Sequence, residues 1–81
     1  MKVAFSGRFT KNLADSPEQV QKAFGKQFAN LMRSIRHPSL HAKKYNETEG
    51  IWQARVDRVW RFYFSIEGNT YYFHDITSHP K

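Results

Sequence analysis

The chain has 81 residues, 40% of them hydrophobic, and a formal net charge of +6 from thirteen Lys and Arg against seven Asp and Glu. It holds no cysteine, which excludes disulfides and thiolate metal sites. No run is apolar and long enough to span a bilayer, and Met1-Lys2-Val3-Ala4-Phe5 lacks an apolar signal core, so a cytoplasmic location without membrane attachment is expected.

The length fits one domain over residues 1–81 with a modest core. Seven Phe, four Tyr and two Trp make 16% of the chain aromatic. Such residues fill a small core or offer stacking faces to bases. The positive balance suits nucleic acid, ribosomal RNA or an acidic protein, and equally a solvated basic surface.

Val3 to Phe5 reads as a first strand ended by Ser6-Gly7. Phe9 and Leu13 lie four apart, as on a short helix facing a core. In Ser16-Pro17-Glu18-Gln19, Ser16 is expected to cap a second helix, with Pro17 at its first position and Gln19 completing a capping box. Val20, Phe24, Phe28, Leu31 and Ile35 then form one apolar helical face. Pro38 disfavours helical geometry in the residue before it, so this helix is expected to stop near His37. His37 to Gly50 reads as a polar, basic, partly extended connection.

The C-terminal half alternates with period two. Trp52, Ala54 and Val56 interleave with Gln53, Arg55 and Asp57; Trp60, Phe62 and Phe64 interleave with Arg61, Tyr63 and Ser65. Gly68-Asn69 is a hairpin signal, and Tyr71 to Ile76 forms the last strand. A three-residue loop, Asp57-Arg58-Val59, keeps the apolar sets of the first hairpin on one face and sets Arg55 opposite Arg61 and Gln53 opposite Tyr63. Pairing Glu67 with Thr70 sets His74 opposite Tyr63 and Ile76 opposite Arg61. One face then carries Gln53, Arg55, Arg61, Tyr63, Tyr72 and His74, and the other receives the helices. Asp75 falls on the core side as a misfit.

Two arginines directly opposite one another repel unless an anion lies between them. Either Asp57 or Glu67 neutralises them on a solvated face, or they hold a phosphate, which the planar guanidinium fork suits. Gln53, Tyr63 and His74 on the same face favour the phosphate site, with Lys43 and Lys44 tracking an RNA backbone. His37 and His41 have metal-ligand spacing, but Pro38 breaks the helix between them and no third ligand is evident, so no metal or other cofactor is expected. Trp52 and Trp60 read as core.

The order strand, short helix, long helix, basic connection and three-stranded meander resembles RelE/ParE-family toxins. The phrases that carry it are Arg8-Phe9 to Leu13, Ser16-Pro17-Glu18-Gln19, Gly50-Ile51-Trp52-Gln53-Ala54-Arg55-Val56, Trp60-Arg61-Phe62-Tyr63-Phe64 and Asp75-Ile76-Thr77-Ser78-His79-Pro80-Lys81. The resemblance spans nearly the whole chain. It implies an α+β fold with helices packed on a small antiparallel sheet. It implies a toxin held by a cognate antitoxin and a metal-independent ribonuclease cutting mRNA on the ribosome. On the family's pattern Arg61, Arg55, His79 and Lys81 match catalytic positions. The chain departs from that pattern in having no tyrosine after Tyr72 and in carrying Gln53 where a lysine is frequent. The alternatives are a ParE-like inhibitor of DNA gyrase and a non-toxic binding module of the same fold.

Overall fold

The computed structural model describes residues 1–78. The elements are β1 (Lys2–Phe5), α1 (Gly7–Asp15), α2 (Glu18–Arg33), a 3-10 turn (Pro38–Leu40), β2 (Lys43–Asn46), β3 (Ile51–Arg55), β4 (Trp60–Glu67) and β5 (Thr70–Ser78). Five strands form one sheet in the order β1-β5-β4-β3-β2. The C-terminal meander is antiparallel, as the alternation predicts, and β2 extends it antiparallel to β3. β1 instead runs parallel to β5, which is possible because both helices lie between them in the chain.

Ser6 caps α1, accepting from the Phe9 amide at 2.9 Å, and its hydroxyl donates to the His74 carbonyl at 2.8 Å. One side chain thus starts a helix and ties it to β5. Ser16 does not cap α2. Its hydroxyl donates to the Leu13 carbonyl at 2.6 Å and closes α1, while Pro17 stands at the start of α2 without a side-chain cap. Two residues separate the helices, and the first claims the only hydroxyl. α2 ends at Arg33, earlier than Pro38 alone suggests, because extended Ser34 begins a tight turn in which its carbonyl accepts from the His37 amide. Ile35, outside the helix, still packs against the core.

The core lies between the helices and one sheet face. Phe9, Val20, Phe24 and Leu31 meet Ala54, Phe62, Phe64, Phe73 and Ile76, all buried. Phe24 sets its edge against Phe62 at 5.3 Å and Phe9 at 5.1 Å between ring centroids, a favoured aromatic geometry. Trp52 and Trp60 are half-buried at the margin of this cluster.

The β3–β4 register is the expected one: Gln53 faces Tyr63 and Arg55 faces Arg61. The Val56 amide donates to the Trp60 carbonyl at 2.9 Å, as a three-residue loop requires. The β4–β5 register corrects the expectation. Glu67 pairs with Thr70 and Phe64 with Phe73, but Tyr63 then pairs with Asp75, Phe62 with Ile76 and Arg61 with Thr77. His74 is the extra residue of a β-bulge. The reason lies in the core. Phe73 and Ile76 are three apart, which a regular strand would send to opposite faces, yet both are 1% exposed. The bulge reconciles them and removes the Asp75 misfit.

Candidate functional site

The sheet face opposite the helices carries two clefts. The first, about 340 Å³, is lined by His41, Ala42, Lys43, Gln53, Ala54, Arg55 and Arg61. Its charged side chains are all basic. The residues arrive there for distinct local reasons. Arg55 and Arg61 are cross-strand partners beside the Asp57 turn, and Lys43 pairs with Gln53 across β2–β3. Asp57 builds that turn by accepting from the Val59 and Trp60 amides at 2.9 and 2.7 Å. His41 enters the cleft wall from a left-handed backbone conformation (φ 47°) at the end of the 3-10 turn.

Arg61 is half-buried and preset. Its Nη1 donates to the carbonyls of Asp57 at 2.9 Å and Trp60 at 3.1 Å, leaving Nε and Nη2 for a ligand. Neither Asp57 nor Glu67 neutralises the arginine pair. Among the described residues the ion pairs are Lys11–Asp15 and Lys22–Glu18, both exposed and both on the helices. Among the described residues no carboxylate pairs with either arginine, and two cations held opposite one another favour an anion between them.

Arg55 is held from behind. The buried Gln27 of α2 donates to the Arg55 carbonyl at 2.9 Å and to the Ser39 carbonyl at 3.0 Å, while its oxygen accepts from Ser39 and Asn30. Sequence reading passed over Gln27, although a polar residue between the apolar positions Phe24 and Leu31 is a usable signal.

The second cleft, about 680 Å³, is walled by Tyr45, Asn46, Glu49, Tyr63, His74 and Asp75, among others. Tyr63 and Gln53 join the two clefts, with the amide of Gln53 donating to the phenol oxygen at 3.1 Å. His74 Nε2 lies 2.8 Å from Ser65 Oγ. Asp75 is fixed by Asn12 of α1 at 2.7 Å and by the Ile76 amide. The sequence reading missed Tyr45, Glu49 and Asp75 as cleft residues.

Of the expected site residues, Gln53, Arg55, Arg61, Tyr63, His74 and Lys43 therefore share one face. Lys44 does not. It pairs with Trp52, and its ammonium lies over that indole, 5.3 Å from the ring centre, on the other side of the sheet. His79 and Lys81 lie outside the described residues. His37 turns its Nδ1 to Ser39, and no cluster of three His, Asp or Glu with metal-binding proximity exists among the described residues. No helix there is long and apolar enough to cross a membrane.

No protein-family model and no curated protein sequence matches the chain. Solved structures do match it over almost its whole length. A YoeB/ParE toxin from Agrobacterium tumefaciens superposes with a TM-score of 0.80 at 13% identity, covering 99% of this chain and 100% of that one. The chain has the RelE/ParE toxin fold. The YoeB dimer from Staphylococcus aureus gives 0.81 at 12% identity over 99% and 98% of the two chains. The RelB–RelE antitoxin–toxin complex from Methanococcus jannaschii gives 0.76 at 18% identity over 93% and 88%. At such identities the RelE/ParE fold is shared while the side chains have diverged, so what the clefts can do rests on the residues named above.

Proposed function

We propose that this chain is the toxin of a toxin–antitoxin pair and cleaves mRNA on the ribosome without a metal cofactor. The observation that carries this reading is the Arg55–Arg61 pair, set in a wholly basic cleft without a carboxylate partner among the described residues. Cleavage by attack of a ribose 2′-OH on the adjacent phosphate needs stabilisation of charge on the phosphate, a group to take the 2′ proton and a group to donate a proton to the leaving 5′-oxygen. Arg61, already anchored through Nη1, binds the phosphate with Nε and Nη2. Arg55 and Lys43 add charge from the neighbouring strands, and Lys81 assists from the C-terminal end. Arginine does not deprotonate in proteins and cannot move the proton. An imidazole can, and His79 takes that role, with His74 in the second cleft as the second candidate. The products end in a 2′,3′-cyclic phosphate.

The partner is a cognate antitoxin, partly disordered alone and acidic enough to cover a chain of charge +6. RelB–RelE and DinJ–YafQ complexes among the structural relatives support this. The deciding experiment is ribosome-programmed cleavage of a defined mRNA by the wild type and by Arg61→Ala, with a gyrase supercoiling assay alongside. Cleavage lost in the variant supports the reading. Gyrase inhibition without cleavage gives the ParE-like function in its place.

A further inference from the structure

We propose that His41, in the wall of the arginine cleft, is the general base that takes the 2′ proton. The inference rests on the ribonuclease reading and fills a place that reading leaves open, because the reaction moves two protons and His79 accounts for one. Three observations support it. His41 lines the same cleft as Lys43, Arg55 and Arg61, whereas His74 lines the second cleft. Next, its ring is uncommitted. Among the described residues His37 faces Ser39 and His74 faces Ser65, while the His41 side chain makes no hydrogen bond. A base needs its unshared pair free.

Finally, the backbone is held in an unfavoured conformation to present this side chain. Among the described residues His41 is the one non-glycine with a positive φ, 47°. Such conformations persist where the surroundings over-determine them, and they concentrate at sites of function. Here Leu40 on one side is buried, and Ala42 on the other packs against the core. The His41 amide donates to the Pro38 carbonyl at 3.3 Å. Gln27 binds the Ser39 and Arg55 carbonyls together, so the turn that presents His41 and the strand that presents Arg55 hang from one buried side chain. His41 itself is exposed and can pass a proton on to water. The sequence offers only the four-residue spacing of His37 and His41, which Pro38 interrupts; the left-handed turn and the shared cleft are tertiary.

In the step, the 2′-oxygen bonds to phosphorus as the bond from phosphorus to the 5′-oxygen breaks. His41 receives the proton of the 2′-OH, and His79 gives one to the 5′-oxygen. The products are a 2′,3′-cyclic phosphate and a free 5′-OH, and exchange with water returns both imidazoles to their starting states. The charged groups that face His41 are Lys43 from β2, Arg55 from β3 and Arg61 from β4. Imidazole alone among these side-chain types exchanges protons near neutrality while exposed.

The test is the pH–rate profile of ribosome-programmed mRNA cleavage by wild type, His41→Asn and His41→Gly. Asparagine and glycine both accept the left-handed backbone, and neither exchanges a proton near neutrality. Both variants are expected to lose about 100-fold or more in rate, together with the fall in rate at acid pH that protonation of a base produces. Added imidazole restores part of the rate to His41→Gly, which a structural role would not show. On an mRNA with sulfur in place of the scissile 5′-oxygen, whose leaving group needs no acid, the His41→Asn deficit persists. An unchanged rate in both variants, a loss with the acid limb intact, or a deficit that the 5′-sulfur abolishes overturns the assignment. Absence of cleavage by the wild type removes the nuclease reading and this role together. Arg61-dependent cleavage that is indifferent to His41 removes this role alone.

Discussion

The side-chain amide of Gln27, in the middle of α2, donates to the main-chain carbonyl of Arg55 at the end of β3. With its second bond to Ser39, one buried side chain links the long helix, the 3-10 turn and the strand that carries a cleft arginine. Replacing Gln27 with Ala removes the donor from both carbonyls, while the Asn30 amide keeps Ser39 and the Ser39 hydroxyl keeps His37 as partners. Each buried group so orphaned costs about 1–3 kcal/mol. Urea denaturation is expected to show a loss in that range, and RNA affinity is expected to fall because Arg55 is no longer fixed. Stability equal to wild type would remove this linkage.

Arg61→Ala is expected to lower mRNA cleavage by about 100- to 1000-fold, the usual effect of losing one positioned electrostatic contact. The residue lies on the cleft face and outside the buried cluster, so circular dichroism and thermal melting are expected to stay close to wild type. Arg61→Lys restores charge without the fork and is expected to recover only part of the rate.

His79→Ala is expected to slow cleavage and to change its pH dependence near neutrality, where imidazole exchanges protons. His74→Ala is expected to have the smaller effect, since its Nε2 already faces Ser65 at 2.8 Å. A pH–rate profile of both variants separates the roles. An unchanged profile in His79→Ala with an altered one in His74→Ala assigns the proton transfer to the bulge residue.

Burial holds the Tyr71 phenol above its ordinary range, because the charged phenolate is poorly solvated beside Phe64 and Phe73. A group whose folded pKa is raised binds its proton more tightly in the folded state. Its contribution is fully present below the unfolded value of about 10 and is lost as pH rises from there through the folded value. Tyr71→Phe cannot ionise, so its stability is expected to fall less steeply than that of wild type between pH of about 9 and 11. Chemical denaturation across that range checks it, and parallel curves would contradict it.

Much of the architecture was legible in the chain because it depends on local chemistry. Strict alternation from Trp52 and from Trp60 determined two strands and their buried faces. The three residues Asp57-Arg58-Val59 determined that Arg55 would meet Arg61, since any even loop would have turned the apolar sets away from each other. The apolar face from Val20 to Leu31 determined the long helix. Other features depended on competition between distant groups. Ser16 had two helices to serve, and only their separation by two residues decided that α1 would claim its hydroxyl. The His74 bulge followed from the sheet's need to bury both Phe73 and Ile76 against the helices; their spacing of three was a signal, but one that a regular register conceals. The parallel addition of β1, the strand pairing of Lys43–Asn46 and the transfer of Lys44 to the Trp52 side are likewise set by partners far along the chain. Sequence by itself determined which residues alternate and where the basic pair would sit. The tertiary structure decided which neighbours share its face, because a single-residue shift in register moves a side chain from one side of a sheet to the other.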